Sequence, residues 1–244
     1  MTDPVAELLA WAGALSWQGV ALLALTFAAW AAARRLWAAA RGSAFLTPVL
    51  TAAVLIIGVL TATGVPVGDY GRATTPLSAA LLPATAAMAV PLWRMRAYLR
   101  SVWRPLVAGT VAGGATSFLG IFLIGPLLGL PLADQLGLGL RAVTAPVAIP
   151  LAQSLGSTMD VTMLGILGNG LFGAMVTPLL ARLALTRLAG VRDDDRVTGF
   201  TLGLTSHAIG VAHAAPRGGD MAAMAAAGML ANAVCTTLMV VPLL

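Results

Sequence analysis

Charged residues cut this chain into long apolar stretches. Between successive charges lie Leu8–Ala33, Gly42–Gly68, Ala73–Trp93, Pro105–Ala133, Ala142–Met159, Val161–Ala181, Val197–Pro216 and Met221–Leu244. A helix needs about 20 apolar residues to cross roughly 30 Å of hydrocarbon. The pattern therefore predicts an all-α, polytopic integral membrane protein of about eight membrane segments. The segments differ in kind. Leu8–Ala33 and the region around Val54–Leu60 read as ordinary spanning helices. Ala73–Trp93 is interrupted by Pro76, Pro83 and Pro91, Ala142–Met159 by Pro146, Pro150 and Gly156, and Val197–Pro216 by Gly203, Ser206, His207, Gly210 and His213. Such breaks persist at membrane depth only where protein or a watery cavity satisfies the freed backbone groups. Broken or re-entrant helices of this kind build the midplane sites of carriers.

Composition removes the soluble alternatives. Hydrophobic residues make up 59% of the chain and charged residues 9%, with a mean hydropathy of +0.92. A soluble domain carries about a quarter charged residues, so lipid must be the solvent here. The net charge is +5 and all fourteen basic residues are arginine. These arginines flank apolar stretches rather than line a polar face, which reads as topology signalling and not as nucleic-acid binding. The lone cysteine, Cys235, makes neither a disulfide framework nor a metal site. Asp3 and Glu7 stand where a signal peptide would be basic, so no cleaved signal is expected.

Arginine also orients the segments. Clusters at Arg34, Arg35 and Arg41, at Arg94, Arg96, Arg100 and Arg104, and at Arg182, Arg187, Arg192 and Arg196 should share the cytoplasmic side, with Asp193–Asp195 counting little. The third cluster agrees with the other two only if Ala142–Met159 re-enters instead of crossing. An internal likeness between Leu81–Arg94 (LLPATAAMAVPLWR) and Leu204–Arg217 (LTSHAIGVAHAAPR), at an offset of 123, suggests two repeats. An odd number of crossings between them would make the repeats inverted.

The chemistry-bearing residues sit in the broken stretches. Arg141 opens a run with Thr144, Pro146 and Pro150. Its guanidinium can grip a carboxylate bidentately, or snorkel to the interface while the prolines merely kink a helix. Thr205, Ser206, His207 and Gly210 form a second constellation. A histidine at membrane depth is costly and commonly functional, as a donor or proton carrier; the other reading is a core histidine bridging helices. Pro83 and Thr85 form a third, although a membrane threonine often bonds back to its own helix. Asn169 and Asn232 read as interhelical glue or as ligands, with Gly165, Gly170 and Ala174 permitting close packing. His207 and His213 lack metal-ligand spacing, no hydrolytic arrangement of acids is present, and no phosphate-cradling loop appears. Neither a cofactor nor an enzyme is expected.

Three blocks, Arg141–Pro150 (RAVTAPVAIP), Gly165–Leu180 (GILGNGLFGAMVTPLL) and Gly203–Ala214 (GLTSHAIGVAHA), resemble in order and spacing those of the LrgB/CidB family. Gly64–Tyr70 (GVPVGDY) and Leu82–Trp93 (LPATAAMAVPLW) look similar too. The resemblance covers about residues 46–244 of a single membrane domain, with residues 1–45 as an extra helix. It implies a bacterial inner-membrane protein of one of two kinds. One is a carrier of small 2-hydroxy or 2-oxo monocarboxylates such as glycolate, glycerate, pyruvate or lactate. The other, the alternative because broken polar segments at membrane depth favour the carrier, is a holin-like or antiholin-like protein regulating murein hydrolase export and autolysis. An LrgA-type membrane partner and a homo-oligomer are implied as well. The chain departs from the family at Pro150, where an acid is frequent, at Ala145, where a threonine is frequent, and at Val211-Ala212-His213, where Thr-Ala-Arg is frequent. The candidate substrate-binding set, read from the chemistry of the broken stretches, is Arg141, Thr144, Pro146, Thr205, Ser206, His207, Gly210, Pro83, Thr85 and Asn169.

Overall fold

The computed structural model describes residues 16–40, 46–184 and 194–243. The beginnings of the first two apolar stretches, and Asp3, Glu7, Arg41, Arg187, Arg192 and Asp193, lie outside the described residues. All regular structure among the described residues is helical. The chain divides into two compact units, Met1–Ala87 and Met88–Leu244.

The N-terminal unit is built on an antiparallel helix pair. Helix α1 (Trp17–Ala39) starts at Ser16, whose hydroxyl accepts the Gly19 N–H at 3.1 Å, a side-chain N-cap. Helix α2 (Pro48–Thr63) opens on proline, whose missing donor costs nothing there, and closes on Gly64 at φ 68°. Leu22 packs with Leu60 and Ala73, and Ala29 and Ala33 pack with Ala52. Three short helices follow, α3 (Val67–Ala73), α4 (Thr75–Ala79) and α5 (Leu81–Ala87). Tyr70 of α3 is tied to Thr26 of α1 by a hydroxyl–hydroxyl bond of 3.0 Å.

The second unit continues through α6 (Ala89–Arg94), α7 (Arg96–Ser101), α8 (Trp103–Ile124), α9 (Leu132–Gly139), α10 (Ala145–Ser154), α11 (Met159–Leu183), α12 (Asp195–Ala214) and α13 (Gly219–Val240). Among the described residues, five helical runs are long and apolar enough to cross a bilayer: Trp17–Ala39, Thr75–Arg94, Trp103–Leu128, Met159–Leu183 and Gly219–Leu243. Their outward faces are greasy; Leu123, Leu164, Phe172 and Leu238 are all exposed. In a water-soluble protein that would be an aggregation surface, whereas in lipid it is the solvated one.

Two segments do not cross. Helix α9, with 8 residues, and α10, with 10, are about 12 and 15 Å long, roughly half a hydrocarbon core each. Between them the chain turns at residues 140–144, and it returns so far that the Thr158 N–H donates to Ala133 O at 3.4 Å. The Ala142–Met159 stretch is therefore the tip and return limb of a re-entrant hairpin, in agreement with the arginine pattern. The second case departs from the expectation of an interrupted helix. Helix α12 reverses at His207, which sits at φ 42° and ψ −135°. An unbroken helix would carry Ala214 about 27 Å from Arg196. Instead Gly210 lies against the Leu202 carbonyl, and Arg196 pairs with Asp220 at 2.6 Å. Residues 195–217 form a second hairpin.

The two hairpins open toward opposite ends of α8. Near the end of α8, Gly125 meets Gln135 at the base of the first hairpin. Just before the start of α8, Tyr98 lies under the Arg196 guanidinium at 4.4 Å, at the base of the second. This contact also places the Arg94–Arg104 cluster and Arg196 at one end, as the positive-inside pattern requires. The proposed repeat at offset 123 is not supported by backbone form. Residues 204–217 contain the reversal at His207, the one non-glycine residue at positive φ among the described residues, and 81–94 contain none.

Candidate functional site

The hairpin tips meet beside the middle of α11. Asn169, ten residues into that 25-residue helix, donates through Nδ2 to Thr205 O at 2.6 Å and to Arg141 O at 3.3 Å. One amide thus joins the second tip to the first. Asn232 in α13 donates to Ala142 O at 2.9 Å, and is 1% exposed. His207 Nε2 lies 3.0 Å from Ile166 O. A carbonyl only accepts, so Nε2 carries the proton and Nδ1 is left to face other groups. Close approach depends on glycine. A Cβ on Gly170 would stand 2.7 Å from His207 Nε2, and one on Gly173 would collide with the Ser206 hydroxyl.

Six of the ten residues singled out from sequence gather here with their polar groups at the tips: Arg141, Thr144, Thr205, Ser206, His207 and Asn169. The Thr205 hydroxyl is engaged by Thr177 at 3.0 Å, by Ser206 at 3.1 Å and by the Thr201 carbonyl at 2.9 Å. Arg141 is half-buried and donates to Leu138 O at 2.9 Å. The ion pairs found among the described residues are Asp69–Arg72 and Arg196–Asp220, so none of them neutralises Arg141. Thr144 is 4% exposed and its hydroxyl bonds to no described group. It is the N-cap residue of α10 yet makes no side-chain cap bond. The first tip thus carries a guanidinium with no counter-ion among the described residues and, three residues on, a buried hydroxyl with no partner.

The other four residues take different places. Pro146 is the second residue of α10, where proline is tolerated, and it starts the return limb. Gly210 closes the second hairpin on Leu202 and packs limb to limb. Pro83 and Thr85 belong to α5 in the N-terminal unit, and the Thr85 hydroxyl bonds back to Leu81 O at 2.8 Å. Thr177, which holds Thr205, escaped sequence reading because a lone hydroxyl nearly two turns from a helix end carries no signature. An apolar groove of about 710 Å³ between α8 and α13, lined by Trp103, Val107, Leu230 and Val234 among others, contains none of the tip residues.

In the second unit, spanning helices pack around two opposed hairpins with a cation and one unpartnered hydroxyl at their tips, the build of a polytopic membrane protein. The chain belongs to the LrgB-like family, which it matches over residues 26–244. The match begins in α1, upstream of the residue-46 limit set by the motifs. The chain is 30% identical over 200 residues to the antiholin-like protein LrgB of Bacillus subtilis (strain 168), covering 82% of this chain and 84% of that protein. Antiholin-like LrgB proteins of Bacillus cereus (strain B4264) and Bacillus anthracis (strain CDC 684 / NRRL 3495) are each 27% identical over the same shares. No solved structure matches the chain.

Proposed function

We propose that this protein is a secondary carrier of small monocarboxylates of the 2-hydroxy and 2-oxo class. The observation that carries the reading is the meeting of two hairpins, opened toward opposite ends, at tips bearing Arg141, Thr144, Ser206 and His207. A carboxylate leaving water loses several hydrogen bonds, and an unpaired charge at membrane depth is strongly disfavoured. The Arg141 guanidinium and the free Thr144 hydroxyl supply replacements. An α-hydroxy or α-oxo group needs a second set of partners beyond the guanidinium: the Ser206 hydroxyl can donate to either, and the His207 Nδ1 lone pair can accept from an α-hydroxyl.

The test is uptake of radiolabelled glycolate, glycerate, lactate and pyruvate into proteoliposomes, with the chain alone and with an LrgA-type partner. Arg141→Ala and His207→Ala should each remove one charge-assisted or strong hydrogen bond. That is about 1.5–3 kcal/mol, or roughly ten- to a hundredfold in apparent affinity, in protein that stays folded and monodisperse. Wild-type transport by both variants would refute the site.

A second reading, an antiholin-like role in controlling autolysis, is supported by the names of the Bacillus relatives. It predicts that the wild-type chain alters the rate of detergent-triggered lysis in a bacterial host. It also predicts that Arg141→Ala and His207→Ala keep that effect. If both lose it together with uptake, lysis control follows from transport.

A further inference from the structure

The two hairpins and the helices that follow them correspond at several positions at an offset of 63. The residue that breaks the helix just before the return limb is Thr144 in the first hairpin and His207 in the second. The spanning helices that follow carry Gly165-Ile166-Leu167-Gly168-Asn169-Gly170 and Gly228-Met229-Leu230-Ala231-Asn232-Ala233, aligned at the same offset with Gly, Leu and Asn identical. Their packing corresponds too. Gly165 lies against Leu138 and Arg141, while Gly228 lies against Phe200 and Leu204. Most telling are the hydrogen bonds. Asn169 donates to the carbonyl of residue 205, and Asn232 donates to the carbonyl of residue 142. Each asparagine is the other's counterpart, and so is each acceptor. These two bonds cross from the helix of one repeat to the hairpin tip of the other, and Asn169 adds a longer bond of 3.3 Å to Arg141 O in its own repeat. A symmetric pair of this kind does not arise from two unrelated packing contacts.

We infer that Asn169 and Asn232 are a reciprocal pair of clasps: each sits on the spanning helix of one inverted repeat and holds closed the hairpin of the other. The second hairpin opens toward the arginine-rich end, so the Asn169 clasp governs access to the tips from that end. The first hairpin opens toward the opposite end, so the Asn232 clasp governs access from there. The asymmetry of the present state fits this division. The Asn232 side-chain oxygen is buried without a partner, whereas the Asn169 amide nitrogen serves two carbonyls. Two gates built alike and pinned crosswise allow one to release while the other holds. The inference concerns access to the tips and stands apart from which solute, if any, uses it.

Accessibility of single cysteines tests it. The chain has one cysteine, so Cys235→Ser gives a cysteine-free background. Val143 and Ser206 occupy equivalent tip positions and are 1% and 0% exposed. Val143→Cys and Ser206→Cys are made separately, and a membrane-impermeant maleimide is added to either side of sealed vesicles. Asn169→Ala should raise the labelling rate of Ser206→Cys from the arginine-rich side about three- to tenfold, the factor for losing one hydrogen bond. Asn232→Ala should raise that of Val143→Cys from the other side by a similar factor. Glutamine at either position, which keeps the donor, should restore part of the protection.

Loosening of both reporters by either variant, or from the same side, would show a purely structural role and overturn the inference, as would no change. Should the alanine variants fail to fold, a disulfide between Gly173→Cys and Ser206→Cys pins the second hairpin to α11. A Cβ built on Gly173 lies 3.4 Å from that of Ser206, close to the separation a disulfide needs. That lock must leave labelling of Val143→Cys from the other side intact; losing it overturns independent gates. Opposite-sided labelling without uptake of any acid would uphold the clasps and sink the carrier reading alone.

Discussion

In the first hairpin the helix ends at Gly139, the chain turns over residues 140–144, and a new helix begins with Pro146 in its first turn. In the second, one residue reverses the chain: His207 takes positive φ, and the limbs close directly on each other. The longer turn leaves polar groups uncommitted, as the Thr144 hydroxyl shows. The one-residue turn commits nearly everything. Ser206 and Thr205 bond each other, the His207 ring is pinned to Ile166, and glycines at 199, 203 and 210 press on backbone. One tip is thus shaped to receive and the other to hold its form.

The largest expected effect comes from crowding the denser hairpin. A Cβ on Gly203 would penetrate the Ala225 carbonyl and stand 2.8 Å from the Met229 nitrogen, both in the backbone of α13. Backbone cannot step aside without moving a spanning helix. Gly203→Ala should therefore cost about 3 kcal/mol or more. In the first hairpin, Gly137 faces the Thr162 hydroxyl, a side-chain atom that can turn aside by giving up its 2.9 Å bond to Thr158 O. Gly137→Ala should cost about 1 kcal/mol. Thermal unfolding of the two variants in detergent decides between them. Equal losses would erase the distinction between the hairpins.

A smaller effect separates the backbone of His207 from its ring. Positive φ strains any residue with a Cβ, by about 1–3 kcal/mol in sparsely populated regions. His207→Ala loses the ring's bond to Ile166 and keeps the strain. His207→Gly loses the same bond and relieves the strain, at some cost in unfolded-chain entropy. The glycine variant should therefore unfold later than the alanine variant, by about 1 kcal/mol, with uptake reduced in both. If alanine is the more stable, the reversal at 207 is not where the second hairpin stores its strain.

The difference between the hairpins also explains what could be read from sequence. Membrane character and the broken stretches were legible because charge spacing and proline act locally. Pro146 and Pro150, together with the arginine clusters, sufficed to place a re-entrant segment at Ala142–Met159. Nothing in GLTSHAIGVAHA announces a reversal, because a histidine at positive φ is imposed by the packing of α13 and α11 around it. Arg141, Thr144, Ser206 and His207 stand out by chemistry alone, and the structure brings them to the hairpin tips. The likeness at an offset of 123 rests on small residues and a terminal arginine, which carry little information, and the reversal at His207 has no match in residues 81–94. The true counterpart of Asn169 was visible as a second Gly-x-Leu-x-Asn in the last helix. Its meaning depends on hydrogen bonds that cross between repeats, and no local pattern encodes those.

The smallest stability effect is also the most discriminating, because stability and uptake should move in opposite directions. The Thr144 hydroxyl is buried and unpartnered, so it contributes a desolvation cost and no bond. Valine has nearly the same shape without the polar atom. Thr144→Val should leave thermal stability unchanged or raise it by up to about 1 kcal/mol, since an unsatisfied polar group is being removed. Ser206 is equally buried, but its hydroxyl is bonded to Thr205. Ser206→Ala should lower stability by about 0.5–1 kcal/mol, the usual worth of such a bond in a membrane protein. If the free hydroxyl is kept for a substrate, Thr144→Val should weaken carboxylate uptake about three- to tenfold despite its sound fold. Paired melting curves and uptake isotherms on the two variants give the answer. A Thr144→Val protein that is both more stable and fully active would mean that the first tip is a packing defect, and the receiving role assigned to it would fall.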